Sequence, residues 1–273
     1  MTICLSIQSH VVAGYVGQNA ANAVLTAAGV ELWSLPTVHF SAHAATKGVT
    51  GRRATGPELS NLGLGLSQAG DLARVDAILT GYLGSEDAGE AAAAIVAHCP
   101  ADSPYLCDPV LGDDGRLYVP PGLISTYRER LIPRATIATP NVHELGWLTD
   151  LPVRTLPQIV AAARALGPKI VHVTSVNHEG QVGILTQTAE RRTLALGAPA
   201  DVKLHGAGDA VAAMLMASHL EHRPPAQSAA RAVAAVAALA TAAASAGRNT
   251  LPLTAEQALW QDPCHDAHPY QEV

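Results

Sequence analysis

Short apolar runs alternate along the chain with longer segments of helical pattern. Thr2–Ile7 predicts a strand, and Gln18–Ala28, rich in Ala, Asn and Val, predicts a helix closed by Gly29. Glu31–Leu35 reads as a second strand, and Pro57–Ala69 as a helix with proline in its first turn, where the missing N–H costs nothing. Asp76–Tyr82 is a strand, Ala88–His98 a helix, and Tyr105–Cys107 a strand stopped by Asp108-Pro109. Ile137–Thr139 and Lys169–Thr174 are further strands, and Gln181–Leu185 with Arg191–Leu196 forms a late hairpin. Ala207 to about Ala246 reads as two helices broken at Pro224-Pro225.

Strands separated by helices of this length predict repeated βαβ units: an α/β/α sandwich around a mainly parallel sheet covered on both faces. No linker, repeat or charge block interrupts the pattern, so residues 1–273 read as one domain. Residues 37–55 depart from it, being polar and glycine-containing with two His and two Arg, and read as a flap or a small edge extension.

Composition narrows the function. The chain is 48% hydrophobic and 15% charged with a single Phe, which suits a core of Ala, Val and Leu and excludes disorder. The net charge is −6 and basic runs stop at two residues (Arg52-Arg53, Arg191-Arg192), which argues against a nucleic-acid partner. Lysine occurs only at Lys47, Lys169 and Lys203, none of them after a glycine-rich loop, so there is no P-loop; no H-R-D segment is present either. Phosphate chemistry in this chain therefore rests on backbone N–H groups, arginine or a metal.

The four cysteines, Cys4, Cys99, Cys107 and Cys264, show no C-x-x-C pairing, and Cys4 and Cys107 sit in apolar runs as core residues. Met1–Ile7 lacks the basic flank and cleavage site of a signal peptide. The uncharged stretch from Arg231 to Arg248 reads as too short and too alanine-rich to cross a membrane, and as a buried, tightly packed helix instead. Together these features predict a cytoplasmic protein with no membrane partner.

Polar clusters gather where strands end, which is where open parallel sheets bind ligands. They are Ser9-His10, Asp108-Pro109, Asn141-x-x-Glu144 and Thr174-Ser175, with Gly206-Ala207-Gly208-Asp209 opening a helix directly. In the last, two glycines allow close backbone approach, and free N–H groups with the positive dipole end suit an anion beside a general base. The alternative is an ordinary first turn with Asp placed near the dipole. Asn141 and Glu144 fit either a reciprocal helix cap or a Mg2+ environment reached through water, and Asp108 either a turn or a second acid near phosphates. The twelve histidines form no metal set: His39/His43 and His265/His268 are each spaced for two ligands and lack a third.

Read together, these clusters resemble the pyridoxal kinases of the ribokinase-like superfamily. The resemblance rests on Ile7-Gln8-Ser9-His10-Val11 with Gly14-Tyr15-Val16-Gly17, Thr80-Gly81-Tyr82, Cys107-Asp108-Pro109-Val110-Leu111-Gly112, Thr139-Pro140-Asn141-x-x-Glu144-Leu145 and Gly206-Ala207-Gly208-Asp209. It runs in register from about Ile3 to near residue 240. It implies a ribokinase-like sandwich and ATP-dependent phosphorylation of the 5′-hydroxymethyl group of pyridoxal. Asp209 would then take the hydroxyl proton while Gly206, Ala207, Gly208 and Asp209 hold the moving phosphoryl group. Ser9, Val16, Tyr82 and, in the flap, His43 would meet the acceptor. Thr139, Asn141, Thr174 and Ser175 would lie on the nucleotide side, with Asp108 and Glu144 near the phosphates and Mg2+. The resemblance also implies a homodimer and a monovalent cation such as K+. Alternatives are a hydroxymethylpyrimidine or sugar kinase of the same superfamily, or a B6-binding protein without catalysis. The flap departs from the family's S-N-H-T-like segment, with Ser41-Ala42-His43-Ala44 in its place, which predicts weaker pyridoxal binding or a broadened vitamer preference.

Overall fold

The computed structural model of the chain describes residues 1–199, 204–261 and 270–273; Cys264, His265, His268 and Lys203 lie outside the described residues. In chain order the first elements are β1 (Ile3–Val11), α1 (Gln18–Ala27), β2 (Glu31–Phe40), β3 (Gly51–Arg53), α2 (Gly56–Gln68), β4 (Ala77–Thr80) and α3 (Glu86–His98). Next come β5 (Tyr105–Cys107), β6 (Gly112–Asp113), β7 (Arg116–Leu117), α4 (Gly122–Thr126), β8 (Ile137–Ala138), α5 (Val142–Thr149) and α6 (Leu156–Leu166). The last are β9 (Ile170–His178), β10 (Gln181–Thr188), β11 (Arg192–Gly197), α7 (Ala207–Leu220), α8 (Pro225–Ser245), α9 (Gln257–Gln261) and β12 (Tyr270–Glu272).

The main sheet runs β12-β11-β10-β9-β8-β5-β4-β1-β2-β3. Its centre, β9 through β2 in that order, is parallel, and both edges are antiparallel. Alternating side chains feed the two faces. Cys4, Ala77, Leu79, Leu106 and Ile137 join the cluster made by α1, α7 and α8, while Leu5, Ile7, Ile78 and Cys107 join the one made by α3 and α4. Towards β9 and β10 the second face is covered by α5 and α6 through Leu145, Ile159 and Ala163. α7 is buried continuously from Ala210 to Ser218, so the helix that begins at Gly206 is fixed by the core beneath it.

The structure corrects several sequence expectations. β1 continues to Val11, so Ser9 and His10 lie within it; its pairing with β2 slips between Gln8 and His10, where Gln8 faces Pro36, a residue with no N–H for the ladder. β9 likewise passes Thr174 and runs to His178, then turns through Glu179-Gly180, both at positive φ, into β10. α5 starts at the Asn141–Glu144 cap that the sequence offered as one alternative, whereas α6 was not foreseen. The alanine-rich stretch lies in a packed helix, as the sequence suggested. α8 begins at Pro225 and has 21 residues, enough by length and composition to cross a bilayer. What places it is packing: Ala229, Ala232, Val233, Ala235 and Leu239 are buried in the same cluster as α7.

Candidate active site

Two glycine turns interlock at the carboxyl end of the sheet. Gly206 caps α7 at φ 83, and a Cβ there would stand 1.8 Å from the Tyr15 carbonyl oxygen. Gly17, at φ 52, would bring a Cβ to 2.0 Å from the Ser9 carbonyl oxygen and 2.3 Å from its hydroxyl. Only glycine fits either place. The Gly17 N–H donates to the Asp209 carboxylate, so the first loop of the chain holds the acid of the last one. A Cβ on the exposed Gly208, by contrast, would meet nothing within 4 Å. Beside that free space lies the half-buried Asp209, whose carboxyl is pushed above the usual range by burial and held back by the Gly17 donor.

The second acid faces the same space. Asp108, buried at the end of β5, accepts a 3.0 Å hydrogen bond from the Thr139 hydroxyl at the end of β8. Burial, then the Asp209 charge, raise its pKa to about 8, while Thr139 opposes the rise. The two carboxylates are therefore close enough to repel, an arrangement a bound cation relieves.

Asn141 and Glu144 form the reciprocal cap of α5: the Glu144 N–H donates to Asn141 Oδ1 at 3.0 Å and the Asn141 N–H to Glu144 Oε2 at 2.8 Å. Both also reach outside the helix. Glu144 Oε1 accepts from the N–H groups of Leu111 (3.0 Å) and Gly112 (3.3 Å), and Asn141 Nδ2 donates to the Gly112 carbonyl at 2.8 Å. The pair thus ties down the loop that follows Asp108. Burial and the neighbouring Asp108 push the Glu144 carboxyl well above its ordinary range, against three backbone donors.

Thr174 and Ser175 sit where the β9–β10 ladder slips between Gly183 and Leu185. The Thr174 N–H donates to the Pro140 carbonyl at 2.9 Å, which sets it beside Asn141, and Ser175 is exposed at φ 58. A non-glycine residue in the left-handed region at a bulge is the kind of local strain that surrounding structure must enforce.

On the other side, Val16 is buried and Tyr82 half-buried. The backbone around Tyr82 is held by side chains that the sequence did not single out. Tyr127 Oη donates to the Gly81 carbonyl (2.8 Å), Thr37 Oγ1 to that of Tyr82 (2.6 Å) and Arg53 Nη1 to that of Gly84 (2.6 Å). Thr37 and Arg53 belong to the β2–β3 hairpin, whose intervening loop carries His43. The His43 ring stacks on His205, 3.9 Å between centroids and 18° from parallel, whereas His39 contacts His10. His39 and His43 therefore do not converge. Among the described residues the one group able to offer three metal ligands together is Asp113, Asp114 and His143. Cys4 and Cys107 are buried core residues, each thiol pushed up to about 12 by burial. Gly17 had a signal, the G-Y-V-G run; Tyr127, Arg53 and His205 had none.

Residues 46–254 match the family described as phosphomethylpyrimidine kinase. A pyridoxal kinase of Granulibacter bethesdensis is 38% identical over 258 residues, covering 89% of this chain and 90% of that protein. One from Leifsonia xyli subsp. xyli is 33% identical over 270 residues, covering 95% of each chain. Among solved structures, pyridoxal kinase from Leishmania donovani in complex with ADP and pyridoxamine superposes with a TM-score of 0.92 at 27% identity, covering 100% of both chains.

Proposed function

The chain belongs to the pyridoxal kinase family, within the phosphomethylpyrimidine kinases, and on that premise we propose that it transfers the γ-phosphoryl group of ATP to the 5′-hydroxymethyl oxygen of pyridoxal, giving pyridoxal 5′-phosphate and ADP. The observation that carries this reading is the free space over Gly208, bounded by the first turn of α7 and by Asp209.

Asp209 takes the proton from the attacking hydroxyl. A carboxylate with raised proton affinity is a better general base near neutral pH than an ordinary one. The N–H groups of Gly206, Ala207, Gly208 and Asp209 hold the charge on the moving phosphoryl group, doing what a P-loop lysine does elsewhere. Ser9, Val16, Tyr82 and His43 surround the acceptor ring; Thr139, Asn141, Thr174 and Ser175 meet the nucleotide. Asp108 suits Mg2+ as a buried hard-oxygen donor whose repulsion with Asp209 a cation relieves, and Glu144 contributes through water and through the loop it anchors. Bound there with ATP, Mg2+ supplies charge neutralisation on the phosphate oxygens. A monovalent cation such as K+, a homodimer, a cytoplasmic location and a single kinase domain with residues 37–55 as its acceptor flap complete the proposal.

A coupled ADP-release assay across pyridoxal, pyridoxine, pyridoxamine, hydroxymethylpyrimidine and ribose tests it. Pyridoxal turns over, and Asp209→Asn lowers kcat by roughly 10²–10⁴ while ATP still binds. Inert pyridoxal alongside active hydroxymethylpyrimidine would instead assign the chemistry named by the broader family.

A further inference from the structure

The two faces of the proposed acceptor site come from distant parts of the chain, and one ring-on-ring contact joins them. His205 immediately precedes Gly206, and its backbone is pinned: its N–H donates to the Asn249 carbonyl at 2.9 Å, and it bridges to Thr250. Gly206 in turn sits against Tyr15 with no room for a side chain, and the Tyr15 hydroxyl donates to Thr254 Oγ1 at 2.7 Å. The His205 ring is therefore carried on a backbone that cannot drift without disturbing the catalytic turn.

His43 sits at the far end of a longer lever. The loop between β2 and β3 closes on itself through Ser41 N–H to the Thr50 carbonyl (2.8 Å) and Thr50 N–H to Ser41 Oγ (3.0 Å). The Ala45 N–H donates to His43 Nδ1 at 3.2 Å, which requires that nitrogen to be unprotonated. The ring is thus in a neutral form, in keeping with burial and the neighbouring His205 holding its pKa below the ordinary value. At 3.9 Å between centroids and 18° from parallel, the two rings are stacked face to face.

We propose that His205 is a positioning residue: its ring holds His43 face to face and so sets the flap across the acceptor side of the site. This rests on the kinase reading of the same site. His205 touches neither reacting atom in this account; it acts through His43. Its contribution falls on the acceptor, because the flap borders Tyr82 and the Gly206–Asp209 turn, and the nucleotide-side residues Thr139, Asn141, Thr174 and Ser175 lie on β9 or between β8 and α5.

Two substitutions separate stacking from folding. His205→Ala removes the ring, and His205→Phe keeps a planar ring of similar shape. The Ala variant is expected to raise the pyridoxal KM roughly three- to tenfold with the ATP KM within about twofold, and Phe to restore most of it. Tryptic cleavage after the exposed Lys47 gives a second readout that needs no turnover: it accelerates several-fold in the Ala variant and not in the Phe variant. An unchanged acceptor KM with unchanged cleavage in His205→Ala overturns the proposal, as does a Phe variant that behaves like Ala in both. Failure of the unaltered chain to phosphorylate pyridoxal refutes the pyridoxal assignment instead, and the cleavage assay still decides whether the His43–His205 stack holds the flap.

Discussion

At the scale of single residues, burial of ionisable groups sets the character of this molecule. Asp108 and Asp209 bear it at the site, where it raises proton affinity. His172 bears it in the sheet, with its Nδ1 2.9 Å from Thr186 Oγ1 and its pKa pushed down to about 3 by burial and by His219. The unfolded chain titrates His172 near the ordinary value of about 6.5, so below that pH it binds a proton that the folded chain refuses. Stability is therefore lost as pH falls from about 6.5 towards 3, at about 1.4 kcal/mol per pH unit, or roughly 2 kcal/mol by pH 5. In His172→Gln the loss between pH 7 and pH 5, measured by urea unfolding, shrinks by about that amount; equal losses in both proteins would remove His172 as the cause. Legibility at this scale followed chain locality. Gly206–Asp209 stands out in the sequence because its glycines and acid act within four consecutive residues. Tyr127 does not, because the Gly81 carbonyl it holds is 46 positions away and nothing local marks the pair.

At the scale of elements, termini are more informative than interiors. Thr55 and Glu58 cap α2 and Asn141 and Glu144 cap α5 by the same reciprocal exchange, but only the second pair also holds a loop of the site. The sequence offered helix cap and metal environment as alternatives for Glu144. The structure explains the ambiguity, since the cap and the anchored loop are one hydrogen-bond set next to Asp108. Strand ends were less legible: β1 and β9 both overrun their apolar cores, because Ser9 and Ser175 sit at register slips that a hydrophobic pattern does not encode. The division of labour between the acids is testable. Glu144→Gln exchanges one of the two oxygens that accept from the N–H groups of Leu111, Gly112 and Asn141 for an amide donor, and is expected to cost about 1–3 kcal/mol in thermal or urea unfolding. Asp108→Asn instead removes a carboxylate that ionises fully when a cation binds, and should raise the Mg2+ concentration needed for half-maximal activity roughly tenfold, against about twofold for Glu144→Gln. The reverse order of Mg2+ requirements would make Glu144 the principal metal-side residue.

At the scale of the whole molecule, the parallel centre and the helices on both faces were readable from alternation alone, whereas the juxtaposition of the β2–β3 loop with the start of α7 was not. That juxtaposition depends on which strands neighbour one another, and β1 lying between β4 and β2 brings the two together. The alanine-rich α8 shows how packing decides what composition leaves open. Its 21 residues satisfy the arithmetic of a membrane span, yet Ala235 is fully buried in a cluster of α7 and sheet residues while Ala244 is exposed. Close approach of this kind needs small side chains, so alanine is the packing choice. A bilayer would instead accept leucine anywhere along the helix. The two environments therefore predict opposite responses to added volume. Ala235→Leu forces extra methylenes into a filled interior and is expected to destabilise the fold by about 1–3 kcal/mol, whereas Ala244→Leu changes stability by no more than about 0.5 kcal/mol. Urea unfolding of the two variants measures the contrast directly, and equal tolerance at both positions would mean that α8 is not packed against α7 as described.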